Sequence, residues 1–347
     1  MRITALAALV AGCGFNVNPG APNDAGPDTP DSSTGIPSPR KVVIANAALA
    51  QPLDDFPILV PIAGQVDYTK INDPRKDLRF EDAQHNVIDY DVESWNPNGE
   101  SLVWVRVPHI AMPPSPSYIL LYFGANAGTA NPAGVWQDYE QVNHFAGNAS
   151  DVSMNGHDGT ANGATMAPGT LGNSALFASA GDKITFAGVT FDRWSAGTIE
   201  LWLKLNYQTA VEITGEPQIL SNNGSLLDGR LITPSTNLAF QIDTKYTNSK
   251  ASYAHPDLVV NTWTHVAWTF DGDKQRIYRN GVLLLSDIIG NEMFLDTAGP
   301  LVLGNSGSAS AKMQIDELRI SQSALSSEWL AVEQLSMSRG LVSIVAP

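Results

Sequence analysis

The chain of 347 residues has a single cysteine, Cys13, so it cannot form an intramolecular disulfide. Basic residues are also scarce, since 20 lysines and arginines stand against 35 aspartates and glutamates, which gives a formal net charge of −15. So acidic a surface repels phosphate backbones, and we therefore expect no nucleic-acid partner. No stretch reaches the roughly 18 apolar residues that a membrane-spanning helix needs.

Sequence motifs of nucleophilic catalysis and of zinc binding are missing as well. The chain has no G-x-S-x-G motif, and its six histidines form no H-x-x-x-H pattern. His265 lies inside a strand pattern without a serine or cysteine nucleophile motif beside it. We therefore expect His265 to be a hydrogen-bonded packing residue.

The N-terminus reads MRITALAALVAGC, with Arg2 before an apolar run that ends at Cys13. The segment LVAGC resembles the lipobox of bacterial lipoproteins, in which cleavage before the cysteine leaves that residue to carry lipid. Gly14 follows Cys13, and the absence of aspartate there resembles the sorting signal for the outer membrane. This resemblance implies an exported protein, lipid-anchored at Cys13 in the bacterial cell envelope; an ordinary short signal peptide is the alternative.

Residues 14–40 consist mostly of Pro, Gly, Ser, Thr, Asn and Asp. Such a composition cannot bury a core, so it predicts a disordered tether. If extended at about 3.1 Å per residue, the tether would span roughly 80 Å and would hold a folded region away from a lipid surface.

Beyond the tether, short alternating runs such as SLVWVRVP and SYILLYFG are separated by Pro, Gly and Asn turns. Many short strands at regular spacing predict an all-β protein built from two β-sandwich domains. We place these domains at residues 41–145 and 146–340, after a signal segment at 1–13 and the tether at 14–40.

Two local patterns are specific enough to place structure. In THVAWTF, residues 264–270, apolar and other side chains alternate as in a sandwich strand, and Asn280-Gly281 is a strong hairpin signal. Helical periodicity is convincing only in SALSSEWLAVEQLSM, where Ser326 is the expected N-cap. This short C-terminal helix places an apolar stripe on one face: Leu325, Trp329, Val332 and Leu335.

The segments GTIELWLKL, WTHVAWTFDGDKQRIYRNG, PLVLGN and MQIDELRISQSALSSEWL resemble, in this order, the laminin-G-like concanavalin A family. The resemblance implies a jelly roll of two antiparallel sheets, in a lineage where carbohydrate binding and cell-surface adhesion are common. The first domain, with DLRFEDAQHNVIDYDVESWNPNGESLVWVRVP and VWQDYEQVNHF, resembles the domain-of-unknown-function family 2341. That family often precedes a laminin-G-like domain in secreted or envelope proteins.

Three acidic residues at alternating positions, Asp89, Asp91 and Glu93, would project from one face of a strand. Their spacing of about 6.5 to 7 Å suits paired-carboxylate glycoside hydrolysis. Laminarinase-type hydrolases, which share the concanavalin A fold, use a similar strand. Here the strand lies in the other domain, so we expect a solvated strand face and no catalytic residues.

Calcium is the metal that the sequence favours. The segment DVSMNGHDG begins with Asp151 and offers several hard oxygen ligands. In laminin-G-like and laminarinase-type sandwiches a structural calcium often joins the entry loop to an aspartate of the final strand, and the matching position here is Asp316. The resemblance therefore implies Asp316 and Asp151 as calcium ligands; a plain Asx-rich turn and an exposed acidic strand are the alternative.

These patterns together predict a lipid-anchored envelope protein that binds carbohydrate, or another glycan or protein ligand at a surface, through its laminin-G-like domain without catalysis. A polysaccharide hydrolase and a structural envelope protein that binds other proteins are the two alternatives.

Overall fold

The structure is a computed structural model, and it describes residues 38–189, 191, 194–207, 217–222, 227–232, 237–242, 250–254, 258–288, 299–304 and 312–345, of which those between 227 and 254 are described by their backbone alone. Strands dominate these residues, and the predicted all-β class with a short C-terminal helix is confirmed. No helix among the described residues is long and apolar enough to cross a membrane.

The first unit consists of two sheets on either side of one apolar core. Its elements are β1 (Arg40–Ile44), β2 (Leu53–Ile62), a 3-10 turn (Tyr68–Lys70), α1 (Pro74–Asp77), β3 (Leu78–Glu81), β4 (Val87–Ile88), β5 (Tyr90–Ser94), β6 (Ser101–Ile110), β7 (Ser117–Phe123), α2 (Pro132–Val135) and, from the far end of the chain, β23 (Val342–Val345). The strand orders are β23-β1-β7-β3-β4 and β2-β6-β5. Phe56, Val103 and Leu121 are among the buried residues between them.

The second unit is the jelly roll. Its elements are β8 (Gln141–Asn143), β9 (Gly159–Asn162), β10 (Thr165–Pro168), β11 (Asn173–Phe177), β12 (Lys183–Phe186), β13 (Gly197–Leu205), β14 (Gln218–Asn222), β15 (Leu227–Ile232), β16 (Asn237–Ile242), β17 (Lys250–Ala254), β18 (Thr264–Phe270), β19 (Lys274–Arg279), β20 (Val282–Ile288), β21 (Leu301–Gly304), β22 (Met313–Ser321) and α3 (Ser327–Met337). One sheet has the order β10-β11-β22-β13-β18-β19-β20, with β8 also paired to β22, and the other has the order β17-β16-β15-β14-β21-β12-β9.

Strand β18 shows how the second unit is covered. Val266, Trp268 and Phe270 point into the jelly-roll core, as the alternation predicts. The other face is buried too: Ala267 packs with Tyr278 and with Leu330 of α3. Helix α3 therefore covers part of the outer face of this sheet.

Helix α3 begins where the sequence predicts, and the Ser326 hydroxyl accepts a hydrogen bond from the Trp329 backbone N–H at 3.1 Å. The predicted apolar stripe is wrong at one end, because Leu335 is 40% exposed. Glu333 and Ser336 are buried instead, and the Ser336 hydroxyl accepts a hydrogen bond from the Leu59 N–H of β2 at 2.8 Å. The helix contacts both units, so its buried face is partly polar.

Two strand pairs cross the domain bounds that the sequence suggested. Strand β8 lies before residue 146 and pairs with β22 of the jelly roll. Strand β23 lies after residue 340 and pairs with β1 in the first unit. The bounds at 41–145 and 146–340 stay a prediction. Each unit includes one strand that lies outside its predicted bounds.

Candidate functional site

The two units meet over a buried layer that is both aromatic and charged. The outward side of the β2-β6-β5 sheet contributes Trp104, the segment after α2 contributes Trp136, and the jelly roll contributes Trp202. Trp104 and Trp136 pack edge to face, with ring centroids 5.3 Å apart. The charged side chains of this junction lie around these rings.

His144 is at the centre of the charged group, and carboxylates contact both of its ring nitrogens. Nδ1 lies 2.8 Å from Glu93 Oε2 and 2.6 Å from Glu317 Oε1. Nε2 lies 3.0 Å from Asp91 Oδ2. The four side chains are at most 8% exposed. We call His144, Asp91, Glu93 and Glu317 the junction cluster.

Irregular strands direct both glutamates into the junction cluster. The β5–β6 register shifts between Val92 and Ser94, at Glu93. The β13–β22 register shifts opposite Glu317, whose φ of 52° is left-handed. Bulges of this kind redirect a side chain at the cost of ladder hydrogen bonds, and a non-glycine residue at positive φ persists only where its surroundings hold it.

Each carboxylate of the junction cluster has a further partner outside it. The Trp136 indole N–H donates to Asp91 Oδ2 at 3.0 Å, and the Trp104 indole N–H donates to Glu93 Oε2 at 3.2 Å. Arg319 Nη2 donates to Glu317 Oε2 at 2.6 Å. The ring positions and the carboxylate orientations are therefore fixed from outside.

Arg319 extends the network towards α3. Its Nη1 donates to Glu333 Oε1 at 2.5 Å, and the Tyr139 hydroxyl donates to the same oxygen at 3.3 Å. The guanidinium lies 4.2 Å from the Trp104 ring centroid and 4.7 Å from that of Trp136. Two carboxylates and two aromatic faces thus surround a cation that is only 1% exposed.

Burial sets the protonation of this region. Burial disfavours the charged form of His144 and so lowers its pKa. The negative charges of Glu317 and Glu93 have the larger effect, and together they raise the pKa of His144 well above its usual value. Burial and the facing Glu317 carboxylate raise the pKa of Glu93. Although burial acts against ionisation, His144 and Arg319 lower the pKa of Glu317. The pKa values of the two glutamates therefore shift in opposite directions, and only Glu317 contacts the arginine.

An open cleft of about 270 Å³ lies beside this region, between β2, the segment after α2 and the start of α3. Its lining is acidic, aromatic and hydroxylic: Asp54, Asp55, Asp138, Tyr139, Ser321, Ser323, Leu325 and Trp329. The Asp138 carboxylate is 63% exposed and lies 2.6 Å from Nη2 of the buried Arg106. Tyr139 connects the cleft wall to Glu333, and so to Arg319. We call this feature the junction cleft.

The residues predicted to bind calcium lie in separate hydrogen-bond networks. Asp316 is fully buried, and its Oδ2 accepts the N–H groups of Thr170 and Leu171 at 2.8 and 3.0 Å. No donor among the described residues reaches Asp316 Oδ1, and burial raises the pKa of Asp316 to about 8. Both carboxylate oxygens of Asp151 accept hydrogen bonds within its own turn, Oδ1 from the Ser153 N–H at 2.9 Å and Oδ2 from the His157 N–H at 2.8 Å. Calcium binding by these two residues stays a prediction.

The other predicted positions have mixed outcomes. His265 is a hydrogen-bonded packing residue as expected, with Nε2 3.0 Å from Glu200 Oε2. The solvated strand face expected for the Asp-x-Asp-x-Glu strand is wrong: Asp91 and Glu93 are 5% and 4% exposed, because the second unit covers them. Cys13 and residues 14–37 of the tether lie outside the described residues.

Sequence reasoning missed His144, Glu317, Arg319 and Glu333 as site residues. All four lie within three segments that the sequence identified as structural, namely VNHF, MQIDELRI and EWLAVEQL. The available signal was a charged residue at a core position of a strand or helix pattern. That signal alone could not reveal that these charges come together.

Comparisons with known proteins agree with this architecture. Residues 178–331 match the family model of the concanavalin A-like lectin/glucanases superfamily. Residues 75–155 match the model of a domain of unknown function, DUF2341. A comparison with curated protein sequences gave no match. The junction cluster draws Asp91, Glu93 and His144 from the second match and Glu317 from the first.

Solved structures resemble part of this chain at low identity. The binding domain of Paraclostridial Mosquitocidal Protein 1 is 16% identical with a TM-score of 0.51, covering 57% of this chain and 52% of that one. The botulinum neurotoxin serotype D domain in complex with N-acetylneuraminic acid is 17% identical with a TM-score of 0.46, covering 57% and 50%. Domain 4 of AbnA, an arabinanase of Geobacillus stearothermophilus, in complex with arabinotriose, is 20% identical with a TM-score of 0.43, covering 55% and 98%. The chain thus spans about half the length of the two toxin-derived domains.

The fold and the two family matches place this chain in the class of β-sandwich proteins that contain a concanavalin A-like domain. Within that class, this chain combines a DUF2341 segment with the concanavalin A-like domain that follows it. A binding role is consistent with this class.

Proposed function

We propose that this protein is a non-catalytic binding protein that recognises carbohydrate, or another ligand exposed at a surface, in the junction cleft. The observation that carries the proposal is the lining of this cleft, where exposed carboxylates and serine hydroxyls surround an aromatic side chain. The match to the lectin and glucanase superfamily and the likeness to a toxin binding domain support a binding role.

The chemistry of the junction cleft suits a sugar. Carboxylates accept charge-assisted hydrogen bonds from hydroxyl groups, and such bonds are about twice as strong as those between neutral groups. Asp54, Asp55 and Asp138 are 67%, 56% and 63% exposed, so they are available to a ligand. Trp329 offers part of an apolar ring surface next to them. A few polar groups converging beside an apolar wall are typical of small-ligand sites.

The proposal includes the cellular location that the N-terminal sequence predicts. A lipid on Cys13 would anchor the chain in the bacterial envelope, at the outer membrane, and residues 14–40 would hold the two units away from the lipid. Lipidation makes an anchor and not a span. Calcium at Asp316 and Asp151 is the cofactor that the resemblance implies, and it is tested with the ligand.

Hydrolysis is the competing activity, and it needs two carboxyl groups on either side of an accessible sugar bond. Asp91 and Glu93 are the carboxylates with suitable sequence spacing, and both are buried beneath the second unit. A hydrolase would therefore need other residues, and the binding role is the simpler proposal.

The test is a glycan and polysaccharide binding screen on the full chain, run with calcium and again with EDTA. We expect binding that weakens at least tenfold in Asp138→Asn, because this change removes a cleft charge but keeps an oxygen for Arg106. Asp273→Asn, an exposed acid in the β18–β19 turn, makes the same charge change outside the cleft and should bind normally.

If Asp138→Asn leaves glycan binding unchanged, the ligand binds elsewhere on the protein and the junction cleft is not its site. Failure to bind any glycan in either buffer would overturn the carbohydrate proposal. Loss with EDTA that added calcium reverses and added zinc does not would support the calcium prediction and justify Asp316→Asn as the next variant.

A further inference from the structure

Three potential ligand atoms from distant parts of the chain converge within the junction cluster. Glu93 Oε2 comes from β5, His144 Nδ1 from the residue after β8, and Glu317 Oε1 from β22. One ligand atom from each of these three residues lies within 4.8 Å of the other two, and all three residues are buried. We propose that Glu93, His144 and Glu317 bind one divalent metal ion of the zinc class, and that this ion joins the two units.

The donor set fits such an ion. Zinc is bound by histidine nitrogen and carboxylate oxygen at about 2.0–2.2 Å, which separates neighbouring ligand atoms by roughly 3.4 Å in a tetrahedral site. Here Nδ1 lies 2.8 Å from Glu93 Oε2 and 2.6 Å from Glu317 Oε1. The cluster would widen by roughly 0.6 to 0.8 Å as the metal replaces the proton on Nδ1.

Glu93 also has spare coordination capacity, and this is an independent observation. Its Oε1 is buried, and no N–H or O–H donor among the described residues reaches it. A buried carboxylate oxygen without a donor is costly, because desolvation is then uncompensated. Coordination of the metal through both oxygens of the Glu93 carboxylate would remove that cost.

The surrounding contacts match those of metal-binding histidines. Such a histidine commonly donates its other ring N–H to a carboxylate, which fixes the tautomer and the ring orientation. His144 Nε2 lies 3.0 Å from Asp91 Oδ2, and the Trp136 indole N–H holds the same oxygen. Glu317 is held in turn by Arg319. Both ligands therefore have an outer partner already in place.

Charge balance points the same way. A divalent cation, two glutamates and a neutral histidine sum to zero, so the buried centre would need no further counter-ion. A nitrogen ligand and only three side-chain donors do not suit calcium, which takes six to eight oxygens. This centre is therefore distinct from the calcium predicted at Asp316 and Asp151.

The experiment uses the full chain, and its first measurement is elemental analysis of the purified protein. We expect about one equivalent of zinc or a related metal per chain. After removal of metal with a chelator, added zinc should raise the thermal unfolding midpoint, and the rise should grow with the logarithm of the free zinc concentration above the dissociation constant. Cobalt(II) should produce the visible absorption bands of a low-coordinate site, a signature that a purely structural ion pair cannot give.

The variants separate this centre from adventitious surface binding. His144→Gln should lose the bound metal and the cobalt spectrum, and Glu93→Gln is a milder second variant if His144→Gln does not fold. Asp91→Asn keeps all three ligands and should weaken zinc binding roughly 10- to 100-fold. The control is His85→Gln, because His85 is an exposed histidine 3.1 Å from Glu81.

Absence of metal from the purified chain together with no thermal shift on adding zinc would overturn the proposal, leaving a protonated His144 held by three carboxylates. Metal binding that survives His144→Gln and Glu93→Gln but disappears in His85→Gln would overturn it as well. These outcomes do not depend on whether the chain binds a glycan.

Discussion

His265 and Glu200 lie side by side on neighbouring strands, with His265 Nε2 3.0 Å from Glu200 Oε2 and both side chains about 1% exposed. Burial raises the pKa of Glu200 to about 7, and burial lowers the pKa of His265 to about 4. Between about pH 4.5 and 6.5 the folded chain therefore holds a proton on Glu200, whereas the unfolded chain would hold it on His265.

The two shifts have opposite effects on stability. Folded Glu200 holds a proton that the unfolded chain releases above pH 4.5, so its contribution to the free energy of unfolding falls as the pH rises from about 4.5 to 7. The unfolded chain protonates His265 below pH 6.5 whereas the folded chain does not, so its contribution rises from about pH 4 to 6.5. Each is on the order of 3 kcal/mol, and they largely cancel.

Single substitutions should reveal each contribution. In Glu200→Gln, the free energy of unfolding from urea titrations should rise with pH between about 4 and 6.5, relative to the unmodified chain. In His265→Gln it should fall between about 4.5 and 7. Glu100→Gln, at an exposed carboxylate, is the control. Profiles of the same shape in both variants would show that the pair does not titrate in this way.

Arg319 should be among the most sensitive positions in the junction. Arg319→Met leaves Glu317 and Glu333 buried without their cation, and breaking a buried pair in this way costs roughly 3–5 kcal/mol. Adding Glu333→Gln should recover part of that loss in denaturant unfolding. Arg276→Met, which breaks a partly exposed pair with Asp271 at 2.7 Å, should cost at most about 1 kcal/mol. Equal losses in the two single arginine variants would contradict this assignment.

The N-cap of α3 can be tested with two substitutions at one position. Ser326→Ala removes the acceptor for the Trp329 N–H and should lower the free energy of unfolding by about 1 kcal/mol. Ser326→Asp keeps an acceptor and should retain the stability. If Asp destabilises the protein as much as Ala does, the serine hydroxyl acts through something other than the cap.

Gly281 is required by both backbone and space. Its φ is 73°, and an added Cβ would lie 2.7 Å from the Ala331 Cα in α3. Gly281→Ala should therefore cost more than about 1 kcal/mol in thermal or denaturant unfolding. Gly64→Ala is the matched control, because no atom lies within 4 Å of its added Cβ and its change should stay within about 0.5 kcal/mol.

Local features of the fold followed from the sequence. The hairpin at Asn280-Gly281 has both residues at positive φ, 49° and 73°, as a two-residue type I′ turn requires. The alternation in β18 predicted which residues enter the jelly-roll core. The turn type and the alternation of a strand depend only on residues that are close together in the chain. Both can therefore be predicted from a single sequence.

The junction could not be predicted, because it depends on contacts far apart in the chain. His144 pairs with Asp91 across 53 positions and with Glu317 across 173. Alternation assigns a charged residue such as Glu93 or Asp91 to the solvent side, and it contains no information on whether a second unit covers that side. The same ambiguity explains Leu335, which the helical period assigns to the core although α3 turns Glu333 inward.

The pairing of β23 with β1 has a consequence for how the protein is made. The first sheet is synthesised early, but the strand that completes its edge follows the whole jelly roll on the ribosome. Domains usually fold as units during synthesis, starting with the N-terminal one. Here the N-terminal unit is left with an open sheet edge until the jelly roll has emerged, so its folding finishes last although its translation begins first.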